Sequence, residues 1–247
     1  DVTVGGVDLH RETDGAGANS GPAEKTWVDA NIQITPPTGT NEIGTPHPLT
    51  GHVNVNPGTG FVNAPAGTEI DFVIVSGPGS LTASSCTTTD ASGSCSVDLT
   101  SSTPGVTTVK ATTDVTVGGV DLHRETDGAG ANSGPAEKTW VDANIQITPP
   151  TGTNAVDTPH PLTGHVNVNP GTGFVNAPAG TEIDFVIVSG PGSLTASSCT
   201  TTDASGSCSV DLTSSTPGVT TVKATTDVTV GGVDLHRETD GAGANSG

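Results

Sequence analysis

DVTVGGVDLHRETDGAGANSG, residues 1–21, returns unchanged at 114–134 and again at 227–247. The interval is 113 residues both times, and residues 1–113 differ from 114–226 only at Glu42/Ala155, Ile43/Val156 and Gly44/Asp157. The chain is therefore two periods and the start of a third. Self-similarity at a fixed period makes the module and its contacts with its neighbours the unit of structure. A period of this length closes one small core. Function is to be sought in the array.

Within a period, Val28, Ala30, Ile32 and Ile34 alternate with Trp27, Asp29, Asn31 and Gln33, a strand pattern that ends at Pro36-Pro37-Thr38-Gly39. The three divergent positions follow directly, as suits a surface loop. His52 to Asn56 alternates up to Pro57-Gly58, and Ile70, Phe72 and Ile74 mark the most apolar strand, expected at the centre of the sandwich. Val97 and Leu99 mark a short strand. Val109, Ala111, Thr113, Val115 and Val117 mark a long one, until Gly118-Gly119 moves the side chains to the other face as a bulge or tight turn. The composition agrees with an all-β reading: 31% hydrophobic, 2% aromatic, 34 Gly and 18 Pro supply too little large apolar surface for a helical globule. About seven strands at this spacing fit an immunoglobulin-like sandwich.

Charge and cysteines narrow the setting. The net charge is −19, divided evenly as 11 acids against 3 bases in each period. So acidic a surface repels phosphate backbones and anionic bilayers, which argues against nucleic acid, and no apolar run approaches the length of a membrane span. Cys86 and Cys95, with copies Cys199 and Cys208, flank Thr-Thr-Thr-Asp-Ala-Ser-Gly-Ser. The Asp90 to Gly93 turn chemistry predicts that the thiols face each other across a short hairpin loop and bond as Cys86–Cys95 and Cys199–Cys208. Reduced buried thiols are the alternative, and zinc lacks further ligands at its usual spacing. A disulfide in every module implies an oxidising, extracellular location. With neither an initiating Met nor a leader, the sequence reads as a processed product or a section of a longer chain.

The order LTGHVNVNPGTGFVNAPAGTEIDFVIVSGPGSL (49–81), then CTTTDASGSCSVDLTSSTPGVTTVKAT (86–112), resembles the bacterial immunoglobulin-like repeats of the invasin and intimin type. Pro65-Ala66-Gly67 precedes the apolar strand. Asp90-Ala91-Ser92-Gly93, Val97-Asp98-Leu99 and the run from Gly105 through Val109 to Ala111 follow it, and all recur in the second copy. The resemblance covers about two thirds of each period. It implies tandem surface arrays that act as stalks or adhesive rods, with no catalysis. The extension DVTVGGVDLHRETDGAGANSGPAEKTWVDA (114–143) departs from the family pattern.

In that family's phase, residues 1–30 are the last strands of a preceding module, 31–143 a complete module, and 144–247 a module lacking its last strand. Such ends are completed either by continuation of the chain or by a strand from another copy, and duplication of the 21-residue segment favours continuation. Val28 to Ile34 and its copy contain no Gly or Pro. The last strand of one module is thus expected to run straight into the next, through a joint formed by Trp27, Val28, Ala30 and Ile32 and by Trp140, Val141, Ala143 and Ile145. The tryptophans either pack at this joint or belong to the core. Each module should add on the order of 35–45 Å to a stiff rod.

A search for site chemistry yields little. The loop Asp14 to Gly21 has glycines but neither the spacing nor the lysine of a phosphate cradle. Asp14 and Asn19, with copies Asp127 and Asn132, are candidate calcium ligands without the register of a calcium loop. His47, His52 and the three His-Arg pairs lack a third ligand at metal spacing, and no nucleophile elbow or zinc-protease motif is present. Lys25 or Lys110, with Asn31 and the acids Glu24 and Asp98, is a candidate set for a lysine–asparagine cross-link. No enzyme activity and no cofactor other than calcium are expected. The expectation is an extracellular structural repeat protein, a stalk, fibre or sheath partnered by further copies of its own module. A glycan- or protein-binding adhesin module, using the divergent loop around Glu42 and Asp157, is the alternative.

Overall fold

Alternating Val and Thr runs become strands, and paired glycines become the turns between them. The computed structural model describes residues 1–241 and Asn245, and the described residues contain strands and no helix. At the N-terminus β1 (Val2–Val4) and β2 (Val7–Leu9) form an isolated hairpin. Its turn, Gly5-Gly6, has φ of 60° and 79°. Positive φ at both central residues is the two-residue turn that matches strand twist, and only glycine adopts it without strain.

The first module comprises β3 (Asp29–Thr35), β4 (Thr38–Glu42), β5 (His47–Asn56), β6 (Val62–Asn63), β7 (Glu69–Ser76), β8 (Ser80–Leu81), β9 (Ser85–Thr87), β10 (Ser94–Thr100), β11 (Gly105–Val117), β12 (Val120–Glu125) and the first half of β13 (Ala136–Thr148). One sheet has the order β3-β5-β10-β8, with β6 on β5. The other has β9-β7-β11-β13, with β4 pairing β13 in parallel and β12 pairing the far half of β11. This is the immunoglobulin-like division of strands between two sheets. Residues 114–143 form the far half of β11, the Gly118-Gly119 turn, β12, a glycine-rich loop and the start of β13.

The second module repeats the plan with β14 (His160–Asn169), β15 (Val175–Asn176), β16 (Glu182–Ser189), β17 (Ser193–Leu194), β18 (Ser198–Thr200), β19 (Ser207–Thr213), β20 (Thr221–Val230) and β21 (Val233–Glu238). Its sheets are β13-β14-β19-β17, using the second half of β13, and β18-β16-β20-β21. Each module encloses a core, one including Ile32, Ile34, Leu49, Phe72, Leu99 and Trp140, the other Val141, Ile145, Leu162, Phe185, Val230 and Leu235.

The strand containing Ile70 and Phe72 lies between β9 and β11 and buries both residues in the first core, while Val73 and Val75 on its outer face stand 53% and 56% exposed. The disulfides exist as Cys86–Cys95 and Cys199–Cys208, but they do not close a hairpin. Cys86 is on β9 and Cys95 on β10, strands of opposite sheets, so each bond ties the two layers together across the sandwich. Closing so short a loop is worth about 2.5–3 kcal/mol, which matters to a core so poor in aromatics. The bonds suit an extracellular protein.

Candidate functional site at the joint between modules

Among the described residues β13 is the one strand that serves both modules. Glu137 to Val141 pairs in parallel with Thr38 to Glu42, Ala136 to Trp140 runs antiparallel to Val109 to Gly105, and Asp142 to Thr148 continues antiparallel to Asn169 to Thr163. Because successive side chains of a strand point to opposite faces, Ala136 and Trp140 enter the first core while Val141, Ala143, Ile145 and Ile147 enter the second. No linker intervenes.

The indole of Trp140 is fully buried and its Nε1 donates to Thr107 Oγ1 at 3.0 Å. The Thr107 hydroxyl in turn donates to Pro78 O. Lys138 is 1% exposed, forms no ion pair among the described residues, and donates from Nζ to Asn41 Oδ1 at 2.5 Å. Its Nζ also lies 5.4 Å from the centre of the Trp140 ring. Burial pushes the Lys138 ammonium down to about 8, because a charge without a partner is disfavoured in a dry site. His47 is lowered by its own burial and by the Lys138 charge, against an upward pull from Asp98.

Across the joint, the β20–β21 hairpin of the second module reaches back to the first. A methyl on Gly231 would meet Thr40 and Val141 at 3.1 and 3.5 Å. Arg237 on β21 binds Asp142 Oδ1 at 2.7 Å, Glu42 Oε1 at 2.8 Å and the carbonyl of Ala143. These carboxylates hold the guanidinium charged against the desolvation of its site. Glu42 is one of the three divergent positions, and Ile43, the next, donates its N–H to Val141 O. The divergent loop of the first module is therefore part of the joint. In the second module Ala155 stands where Glu42 would be, and Val156 is 45% exposed.

The glycine-rich loop has a structural task. Asp127 Oδ1 accepts from Ala129 N and Asn132 Nδ2, and Asn132 Oδ1 accepts from Ile32 N. Ser133 Oγ accepts from Ile34 N, so the loop covers the open edge of β3. Asn245 Oδ1 does the same for Ile145 N. Asp14 and Asn19 keep the local bonds of this turn with no strand edge to cover. Among the described residues no cluster of three metal-ligating side chains occurs. His10, His123 and His236 each contact an aspartate through Nδ1, and His52 bridges Ser94 and Asn54.

Of the expected joint residues, Ala30, Ile32, Val141, Ala143 and Ile145 are buried and Val28 is half-buried. The tryptophans part company: Trp140 is core, and Trp27 is 79% exposed. The proposed cross-link set is not assembled, since Lys110 pairs with Glu125 and Asn31 with Asn54. Sequence reasoning missed Lys138 with Asn41, and Arg237 with Glu42. The divergence at position 42 was the only local signal for the second pair.

The strand order defines the class, a tandem immunoglobulin-like sandwich. Among solved structures the chain is similar to the D0-D1 domains of intimin, with 26% identity, 84% of this chain and 95% of that one covered, and a TM-score of 0.30. It is also similar to the D00-D0 domains of intimin, at 17% identity, 85% and 96% coverage and a TM-score of 0.41. The adhesin InvE of Yersinia pseudotuberculosis matches at 18% identity, over 85% of this chain and 57% of that one, with a TM-score of 0.31. No family model and no curated protein matches.

Proposed function

We propose that this chain is an extracellular structural protein, a stiff stalk or fibre of tandem immunoglobulin-like modules, partnered by further copies of its own module in the same chain or by strand donation between chains. The observation that carries this reading is β13, which is at once the last strand of one sandwich and the first of the next. A shared strand resists bending at the joint as a flexible linker does not.

Either source would place the same segment in the second module. Where Ala136 to Val141 fills the first module, the second has an open groove of about 830 Å³ bordered by Gly152, Asn154, His160, Leu212, Val219 and Val222. Strand structure is lost along both walls. Residues 151–155 form no counterpart of β4, β20 begins at Thr221 rather than at the position equivalent to Gly105, and Val219 is 85% exposed. Thr220 donates to Pro191 O as Thr107 does to Pro78 O, leaving its oxygen ready for an indole N–H. The fitting occupant is a segment with the sequence of Ala136 to Val141, from a further module of the same chain or from Ala23 to Val28 of a second copy, which lies outside any strand with its tryptophan exposed. A contact between copies would use different surfaces on the two, leaving each a donor segment or an acceptor groove for the next.

The experiment is light scattering and electron microscopy of the chain over rising concentration, with Trp27 replaced in a parallel sample. Rods that lengthen with concentration in the unaltered chain alone support the reading. Monomers at every concentration overturn strand donation, and a bent, jointed outline for the monomer overturns stiffness. The divergent loop that an adhesin would present is engaged at the joint in the first module and exposed at Val156 in the second, so the second module is where an adhesin surface would be sought.

A further inference from the structure

We propose that Lys138 and Asn41 are joined by a side-chain amide bond that the first module forms by itself, with His47 as proton carrier. Four observations converge. Lys138 Nζ and Asn41 Oδ1 are 2.5 Å apart, which places the amine in direct contact with the carboxamide. The pair is shielded from water: Lys138 is buried beneath Trp140, and Asn41 lies half-buried on the neighbouring strand. Lys138 forms no ion pair among the described residues to hold its proton, and its lowered pKa leaves about a tenth of the amine neutral at pH 7. Finally, Gly39 leaves room for a third group, since a methyl there would meet Lys138 Nζ at 3.1 Å and His47 Nε2 at 3.3 Å. His47 is kept neutral by burial and by the lysine charge, and the Asp98 charge pulls the other way, favouring the imidazolium once it takes up a proton.

The step balances without a co-reactant. Neutral Nζ attacks Cγ of Asn41, and the proton released from Nζ passes by way of His47 to Nδ2. The Cγ–Nδ2 bond breaks, ammonia leaves, and a Cγ–Nζ amide remains. The bond would tie β4 to β13, the strand that bears any pull transmitted along the array, and would hold that strand in its sheet. The second module has the same parts without the lysine: Asn154 Nδ2 donates to Pro159 O instead. Lys25 of a donated strand would bring the missing amine, so that the assembly proposed above would become covalent.

The internal bond is tested on the 247-residue chain itself and does not depend on assembly. The intact mass after reduction should be about 17 Da below that of the sequence, one ammonia. Trypsin should fail to cut after Lys138 and should release a branched peptide joining the segments that contain Asn41 and Lys138. The deficit should vanish in Lys138→Arg and in Asn41→Ala. A His47→Gln chain that keeps its circular dichroism spectrum should form the bond incompletely. A full mass, a deficit confined to one linear peptide, or a deficit that survives Lys138→Arg overturns the proposal.

Discussion

Residues 1–35 and 114–148 have the same sequence and different structures. In the second setting Ala136 to Val141 is a strand between β4 and β11, and its tryptophan is fully buried. In the first, Ala23 to Val28 forms no strand, and Trp27 is 79% exposed. The glycine-pair hairpin is present in both, as is the lysine over the indole, at 5.5 Å and 5.4 Å. What differs is whether a sheet edge stands ready to receive the segment. The hairpin and the cation–π contact are made within a few residues, whereas a strand needs partners to satisfy its backbone groups.

The largest expected effect sets the two tryptophans apart. Trp140→Ala should destabilise the first module by about 3–5 kcal/mol, read as a lowered first transition in calorimetry. Trp27→Ala should leave the dilute chain within about 0.5 kcal/mol and abolish its self-association. Equal effects would erase the distinction between filled and open settings. Next, reduction of the disulfides should cost about 2.5–3 kcal/mol in each module, seen as a drop in both transitions, because the bonds occupy the same place in each.

A pH series sharpens the comparison further. In Asn41→Ala, Lys138 keeps an amine whose folded value is depressed to about 8 from the ordinary 10.5. Between those values the unfolded chain binds more protons, so stability should rise with pH by about 1–3 kcal/mol. The unaltered chain, with Lys138 in an amide, should lack this rise. The smallest effect belongs to Glu42→Ala, which leaves Arg237 its Asp142 partner and should cost about 0.5–1 kcal/mol at the joint, detectable as weaker coupling between the two unfolding transitions.

Much of the fold was legible in the sequence. Val28, Ala30, Ile32 and Ile34 alternate because one face of their strand is buried, and their copies carry the same signal. Gly118-Gly119 announced a tight turn. The cysteines announced their partners by proximity, but not that the bond would cross between sheets, since that depends on which layer each flanking strand joins. Lys138 and Asn41 were illegible for the same reason. They are far apart in the chain, and each is by itself an ordinary polar residue in a polar loop or strand.

The sequence by itself determined the period, the all-β character, the turns and the cysteine pairs, because these rest on side-chain periodicity and on backbone preferences acting over a few residues. Only the tertiary structure decided that one strand serves two modules, that Trp140 is core while Trp27 is surface, that Arg237 braces the joint through Glu42, and that a buried lysine meets an asparagine. Those outcomes depend on which sheet edge is open when the segment arrives, and identical residues have different neighbours at the two places where they occur.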